Sequence, residues 1–151
     1  MERIHRSNIC ALSPIDGRYA TKTEKFRDIF SEYGLIRNRI IVEIKWLESL
    51  CDNDQVTHAK TLSTEAQKFL NSIIENFSYE RADKIKEIEK TTNHDVKSVE
   101  YFLKDSFDDS KELKKLVPFI HFGCTSEDIN NLSHGLMLKE GKEKIILPEI
   151  E

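Results

Sequence analysis

Glycine and proline are scarce in this chain of 151 residues, at five and three. Few positions can therefore host tight turns, and long helices are expected. No apolar run exceeds a few residues, which excludes a membrane-spanning segment. No basic-then-apolar leader opens the chain, so a secretory signal is not expected either. The three cysteines, Cys10, Cys51 and Cys124, are odd in number and widely spread. That pattern fits free thiols in a reducing compartment better than a disulfide framework. An excess of positive charge is also missing: 23 Lys and Arg stand against 27 Asp and Glu, a net −4. The balance speaks against a general nucleic-acid binder, while leaving room for one anionic small molecule at a local basic site. Residues 1–45 hold nine basic and six acidic groups, so +3 there leaves −7 for the rest of the −4 total. The N-terminal part is the expected anion-binding side. A cytoplasmic protein without membrane contact is the reading.

What the sequence does have is helical periodicity. Ala66, Phe69, Leu70, Ile73, Ile74 and Phe77 fall on one stripe, with Thr64 and Gln67 spaced as a capping box. Ile36, Ile40, Ile44 and Leu47 form a second stripe, with Ser31 as its N-cap. Ala82, Ile85 and Ile88 make a third, and Val96, Val99 and Leu103 a fourth. A last helix starts near Ser126 and places Ile129, Leu132 and Leu136 on one side. Strand-like alternation is absent over any useful length, so the fold class is all-α. The closing stretch Ile145-Ile146-Leu147-Pro148 reads as an element cut in mid-course, part of a longer protein.

Three polar stretches interrupt the helices, and function on a rigid scaffold tends to sit at such breaks. In Ser13-Pro14-Ile15-Asp16-Gly17-Arg18-Tyr19, Asp-Gly permits a sharp turn because glycine accepts positive φ. Arg18 then offers a donor fork and Tyr19 a hydroxyl for phosphate oxygens. The alternative is a surface turn with a solvated arginine. In Thr91-Thr92-Asn93-His94-Asp95, Asn93 serves as an N-cap with Asp95 against the positive helix end. The same amides could instead hold an anion beside a titratable His94. In Gly123-Cys124-Thr125-Ser126-Glu127-Asp128, Thr125 or Ser126 either caps the last helix or binds a carboxylate or phosphate. Two acids in that turn weaken a simple anion hole.

Other chemistries lack their parts. His121 and Cys124 have a zinc-like spacing but no second ligand pair, so no metal is expected. Neither a Gly-x-Ser-x-Gly elbow nor a Gly-rich phosphate loop occurs. His5, His58 and His134 have no informative neighbours.

Together the three stretches resemble, in order and spacing, the bacterial adenylosuccinate lyases of the fumarase/aspartase superfamily. Phe30-Ser31-Glu32-Tyr33-Gly34-Leu35, Val99 to Lys104 and Ile129 to His134 add to the likeness, which spans nearly the whole chain. Thr-Ser-Glu-Asp alone would indicate only the superfamily, and Asp-Gly-Arg-Tyr favours the nucleotide-cleaving branch over argininosuccinate lyase. The resemblance implies an N-terminal helical domain over residues 1–115 and the beginning of a long-helix bundle over 116–151. It implies a homotetramer when full length, with sites shared among subunits.

The implied reaction is β-elimination of fumarate from adenylosuccinate, giving AMP, and from the succinyl-carboxamide intermediate of purine biosynthesis (SAICAR to AICAR). That chemistry needs a base, an acid and carbanion stabilisation, but no cofactor. By position, Arg18 and Tyr19 would bind the nucleotide near its phosphate. Asn93, His94 and Asp95 would bind substrate, with His94 an auxiliary in the acid chemistry. Thr125 and Ser126 would lie nearest the succinyl carboxylates. The family's main acid, in a Thr-His-Gly-Gln segment, and its base, in a Gly-Ser-Ser-x-Met-Pro-x-Lys loop, do not occur here. The chain alone is therefore expected to be inactive. Alternatives are a standalone helical module binding nucleotides or proteins, and another lyase of the superfamily.

Overall fold

A computed structural model describes residues 11–150, and among them every regular element is helical. The principal helices are α1 (Arg27–Phe30), α2 (Glu32–Cys51), α3 (Thr64–Glu75), α4 (Tyr79–Thr92) and α5 (Asp95–Ser106). A short α6 (Leu113–Leu116) precedes α7 (Ser126–Gly141), which runs through a π-helical turn, Lys142–Ile146, into α8 (Leu147–Ile150). The all-α expectation holds.

α2 is the axis of the molecule. Its 20 residues span about 30 Å at 1.5 Å per residue, and Ser31 caps its start by accepting the Gly34 N–H. Ile36, Ile40, Ile44 and Leu47 are all buried, on one face, in the main core with Ala66, Leu70 and Ile73 of α3, Ile85 of α4 and Val99 and Leu103 of α5. Each Ile, Leu and Val side chain among them contributes roughly 1.5–3 kcal/mol when taken out of water. Phe107, Leu113 and Leu116 close the far end of this cluster.

The chain enters α2 under tight packing. A Cβ on Gly34 would lie 2.1 Å from the Ile29 carbonyl oxygen, so only glycine lets α1 fold back on α2. The cap of α3 differs from the expected pair: Ser63, not Thr64, accepts the Ala66 N–H at 3.1 Å. Glu112 completes that cap, taking the Ser63 N–H at 2.9 Å and its hydroxyl at 2.6 Å. Gln67 reaches Glu48 instead. A carboxylate from a distant turn thus replaces the local capping box.

α7 packs on the other side of α2, and here the expected stripe needs correcting. Ile129, Ser133, Met137 and Gly141 are buried, whereas Leu132 is 61% exposed and Leu136 38%. Small residues at i+4 spacing decide the contact, because they let the helix axes approach closely. Gly141 makes room for a side chain of α1, since a Cβ there would meet the Phe30 ring at 2.6 Å. Leu132 and Leu136 are left lining an apolar groove of about 820 Å³ with Ile41 and Trp46 of α2. No helix among the described residues is long and apolar enough to cross a membrane.

Candidate functional site

Besides its aliphatic face, α2 carries Arg39, Glu43 and Trp46 at i, i+4 and i+7, a helical line of polar groups. All three point to segments far away in the chain. Arg39 Nε donates to Asn130 Oδ1 at 2.9 Å, and a terminal guanidinium nitrogen donates to Asp95 Oδ2 at 2.5 Å. Glu43 accepts the His121 N–H at 3.1 Å, and its other oxygen lies 2.6 Å from His121 Nδ1. Trp46 Nε1 donates to the Phe122 carbonyl at 2.8 Å. Val42, seated among them, packs with Val96 of α5 and Ile129 of α7. The second and third polar stretches are therefore brought together by one helix.

At the second stretch the capping roles differ from expectation. Asn93 is the C-cap of α4, in the left-handed region at φ 50 and ψ 34, with its N–H donating to Glu89. Asparagine tolerates that conformation where most residues do not. His94 is the N-cap of α5, its Nδ1 accepting the Lys97 N–H at 3.2 Å. A neutral ring held this way carries its proton on Nε2 and offers an N–H outward, and the side chain is exposed. Asp95 follows in the first turn. Burial would raise its carboxyl, but the Val96 amide and the Arg39 guanidinium outweigh burial and hold it below its ordinary value.

The third stretch opens with backbone strain. His121 takes φ 61 and Gly123 φ 73, and a ring-bearing residue adopts such a φ only where its surroundings dictate it. Thr125 then caps α7, its N–H and hydroxyl donating to Asp128 at 2.7 and 3.0 Å. Those two bonds, the amide first, hold the Asp128 carboxyl below its ordinary value. The Thr125 hydroxyl is thus engaged as a donor, while the Ser126 hydroxyl, half-buried at the first helical position, makes no side-chain hydrogen bond among the described residues. Burial pushes the Glu43 carboxyl up, against the opposing hydrogen bond from His121.

The first stretch is placed differently. Ser13 to Thr23 forms a run of right-handed turns, with Gly17 N–H on the Ser13 carbonyl at 3.0 Å and Tyr19 N–H on Pro14 at 2.9 Å. Gly17 is buried and does not take the positive φ expected of it; among the described glycines that conformation belongs to Gly123. Arg18 and Tyr19 are exposed, the guanidinium 5.5 Å from the ring centroid. No hydrogen bond or ion pair among the described residues joins them to the other two stretches. They precede α1, which packs against the far end of α7, where Phe30 meets Gly141.

Arg39 and Glu43 belong to no motif of the sequence, and His121 stands out there only by its zinc-like spacing to Cys124. The available signal was the pair of charges at i, i+4 inside the apolar run of α2, where a merely solvated face would need room that Ile40, Ile41, Val42 and Ile44 do not leave. Cys51 and Cys124 are free thiols, and burial raises both, Cys51 to about 11. Neither is poised as a nucleophile. Cys10 and His5 lie outside the described residues.

Comparison with known proteins gives these residues a context. A family model described as "Lyase" matches residues 17–151. Adenylosuccinate lyase of Haemophilus influenzae is 53% identical over 143 residues, covering 95% of this chain and 31% of that protein. The Vibrio cholerae adenylosuccinate lyase is 54% identical over 144 residues, 95% of this chain and 32% of the relative. That of Escherichia coli K12 is 50% identical over 142 residues, 94% and 31%. The chain spans about a third of the length of these curated relatives.

Proposed function

The chain belongs to the lyase family whose model covers residues 17–151, and on that premise we propose that it is the N-terminal part of an adenylosuccinate lyase. The full-length protein would release fumarate from adenylosuccinate and from SAICAR in purine biosynthesis, as a cytoplasmic homotetramer without a cofactor. The observation that carries this reading is identity of about half with adenylosuccinate lyases across 95% of the chain. Residues 1–115 form the N-terminal domain in this reading, and 116–151 begin the bundle. The exposed groove of Ile41, Trp46, Leu132 and Leu136 is then a seat for further helices.

The residues present divide the work of binding. Arg18 and Tyr19 take the nucleotide phosphate, through a guanidinium fork that lies over the Tyr19 ring and has no carboxylate partner among the described residues. Asn93, His94 and Asp95 form a second binding stretch, in which His94 supplies the Nε2 proton that its cap geometry leaves outward. Thr125 and Ser126 hold a succinyl carboxylate at the N-terminus of the 16-residue α7, whose dipole favours negative charge, with the Thr125 donors passing from Asp128 to the substrate. Separation of Arg18 and Tyr19 from the other two stretches supports sites completed between subunits. The proton-abstracting and main proton-donating groups belong to the part of the protein outside this chain.

The test is a fumarate-release assay on the full-length protein. Turnover of adenylosuccinate is expected, with H94Q lowering kcat by about 10²-fold or more and R18A raising KM. The 151-residue chain alone is expected to release no fumarate, and turnover by it would overturn the division of labour. A second reading, a nucleotide- or protein-binding module without catalysis, rests on the chain's one-third coverage of its relatives. AMP raising the thermal midpoint of the chain in an Arg18-dependent manner, with no longer gene product in its cells, would favour that module.

A further inference from the structure

Glu43 is the most enclosed charged group of α2, with its side chain wholly inaccessible to solvent. An aliphatic residue there would pack as Ile40 and Ile44 do, so a carboxylate kept against its desolvation cost calls for a use. Both of its oxygens face a single residue 78 positions away. One accepts the His121 main-chain N–H at 3.1 Å and the other lies 2.6 Å from the ring Nδ1. Ring and backbone are fixed together, and the backbone is the strained one, at φ 61. Trp46 clamps the next carbonyl from the same helix. Two residues later the chain turns at Gly123 and enters α7 through Thr125 and Ser126. The other titratable groups near the pair are Glu100 and Lys97 on α5, Asp128 on α7 and the Cys124 thiol.

We propose that Glu43 is a positioning residue of the lyase site, which holds His121 with Nδ1–H on its carboxylate and Nε2 free as a proton acceptor, and so sets the turn that presents Thr125 and Ser126. The proposal rests on the function proposed above. His94 is held in the opposite sense, its Nδ1 accepting an amide proton. The two rings therefore offer different atoms to a substrate, an N–H from His94 and a lone pair from His121. A carboxylate on the far nitrogen is what selects between those tautomers.

The experiment is a double-mutant cycle in the full-length protein, with E43Q, H121Q and the double variant assayed for fumarate release. E43Q keeps the size of the side chain and removes the charge. A loss of about 10²-fold in kcat/KM, carried mainly by kcat, is expected. In the H121Q background the same change is expected to cost less than twofold, because Glu43 acts through His121 alone. E43Q activity within threefold of wild type overturns the proposal, as does an equal loss in both backgrounds. Should E43Q fail to fold, E43D carries the same cycle, since it retains the charge but shortens the reach. A full-length wild type that releases no fumarate would overturn the function, not the pair. The cycle is then read on urea midpoints, where additivity of Glu43 and His121 overturns the pair and non-additivity supports it.

Discussion

The two sides of α2 follow different rules. Toward α3, α4 and α5 the helix shows Ile36, Ile40, Ile44 and Leu47, and the partners are other aliphatic side chains. Toward the start of α5 and the α7 entry it shows Arg39, Glu43 and Trp46, with only the small cluster of Val42, Val96 and Ile129 between them. The first side is where burial of apolar area stabilises the fold. The second spends buried charge on geometry, holding two turns and two helix starts in register. Apolar contacts tolerate volume-conserving exchange, whereas each hydrogen bond on the polar side has one partner at one distance. The contrast teaches where to expect stability and where to expect function.

The contrast can be broken by experiment in the full-length protein. The largest effect is expected on the apolar side: Phe107→Ala, at a fully buried site, should lower unfolding stability by about 3–5 kcal/mol, read from urea titration. Gly34→Ala should come next, at about 1–3 kcal/mol by overpacking, because its new Cβ meets backbone that cannot step aside. Arg39→Met should cost less, about 1–2 kcal/mol, although Arg39 itself is buried. Its partner Asp95 is 47% exposed, so the stranded carboxylate can hydrate. Stability changes of the same order on the two sides, with full activity retained in Arg39→Met, would erase the distinction.

The depressed Asp95 carboxyl sets the sign of a pH effect. Its contribution is fully present above the ordinary carboxyl value of 3.8 and is lost as pH falls through the lower folded value. The Arg39→Met deficit should therefore shrink in acid below about pH 4. Glu43 runs the other way. Its raised value means that the ionised form is disfavoured by folding above the ordinary 4.5, so E43Q should leave thermal stability unchanged or slightly higher near neutrality. That gain should vanish in acid, where the wild-type carboxyl is also neutral. A large loss of stability in E43Q would make Glu43 a structural residue and move it to the apolar side of the comparison. The smallest effect is expected for Leu132→Ser in the isolated chain, within about 0.5 kcal/mol. A much larger loss in the full-length protein would identify the groove as covered there.

Legibility in the sequence follows the same division. The apolar stripes of α2, α3, α4 and α5 could be read because core packing repeats with the helix period, and each stripe is buried at most of its expected positions. The cap at Ser31 and the cap at Thr125 were legible because they depend on residues within three positions. Asn93 was displaced by one position, since a left-handed C-cap and an N-cap favour the same side chain. Ser63 was overlooked because its second partner, Glu112, is 49 residues away. On α7, the apolar side of Ile129, Leu132 and Leu136 is only partly the buried side, with Leu132 and Leu136 left exposed. Ser133 and Gly141 are buried instead, Gly141 against the Phe30 ring of α1.

By itself the sequence determined the helical class, the positions of the helices and the order of the three polar stretches. Each of these is a local property, carried by side-chain period, capping and the want of glycine and proline. Only the tertiary structure decided that the second and third stretches meet while the first stands apart. It also decided that Arg39 and Glu43 are buried, the one against Asp95 and the other against His121 Nδ1. Those outcomes depend on partners 56 and 78 residues distant. A charged side chain carries no local mark of what it will face once helices pack.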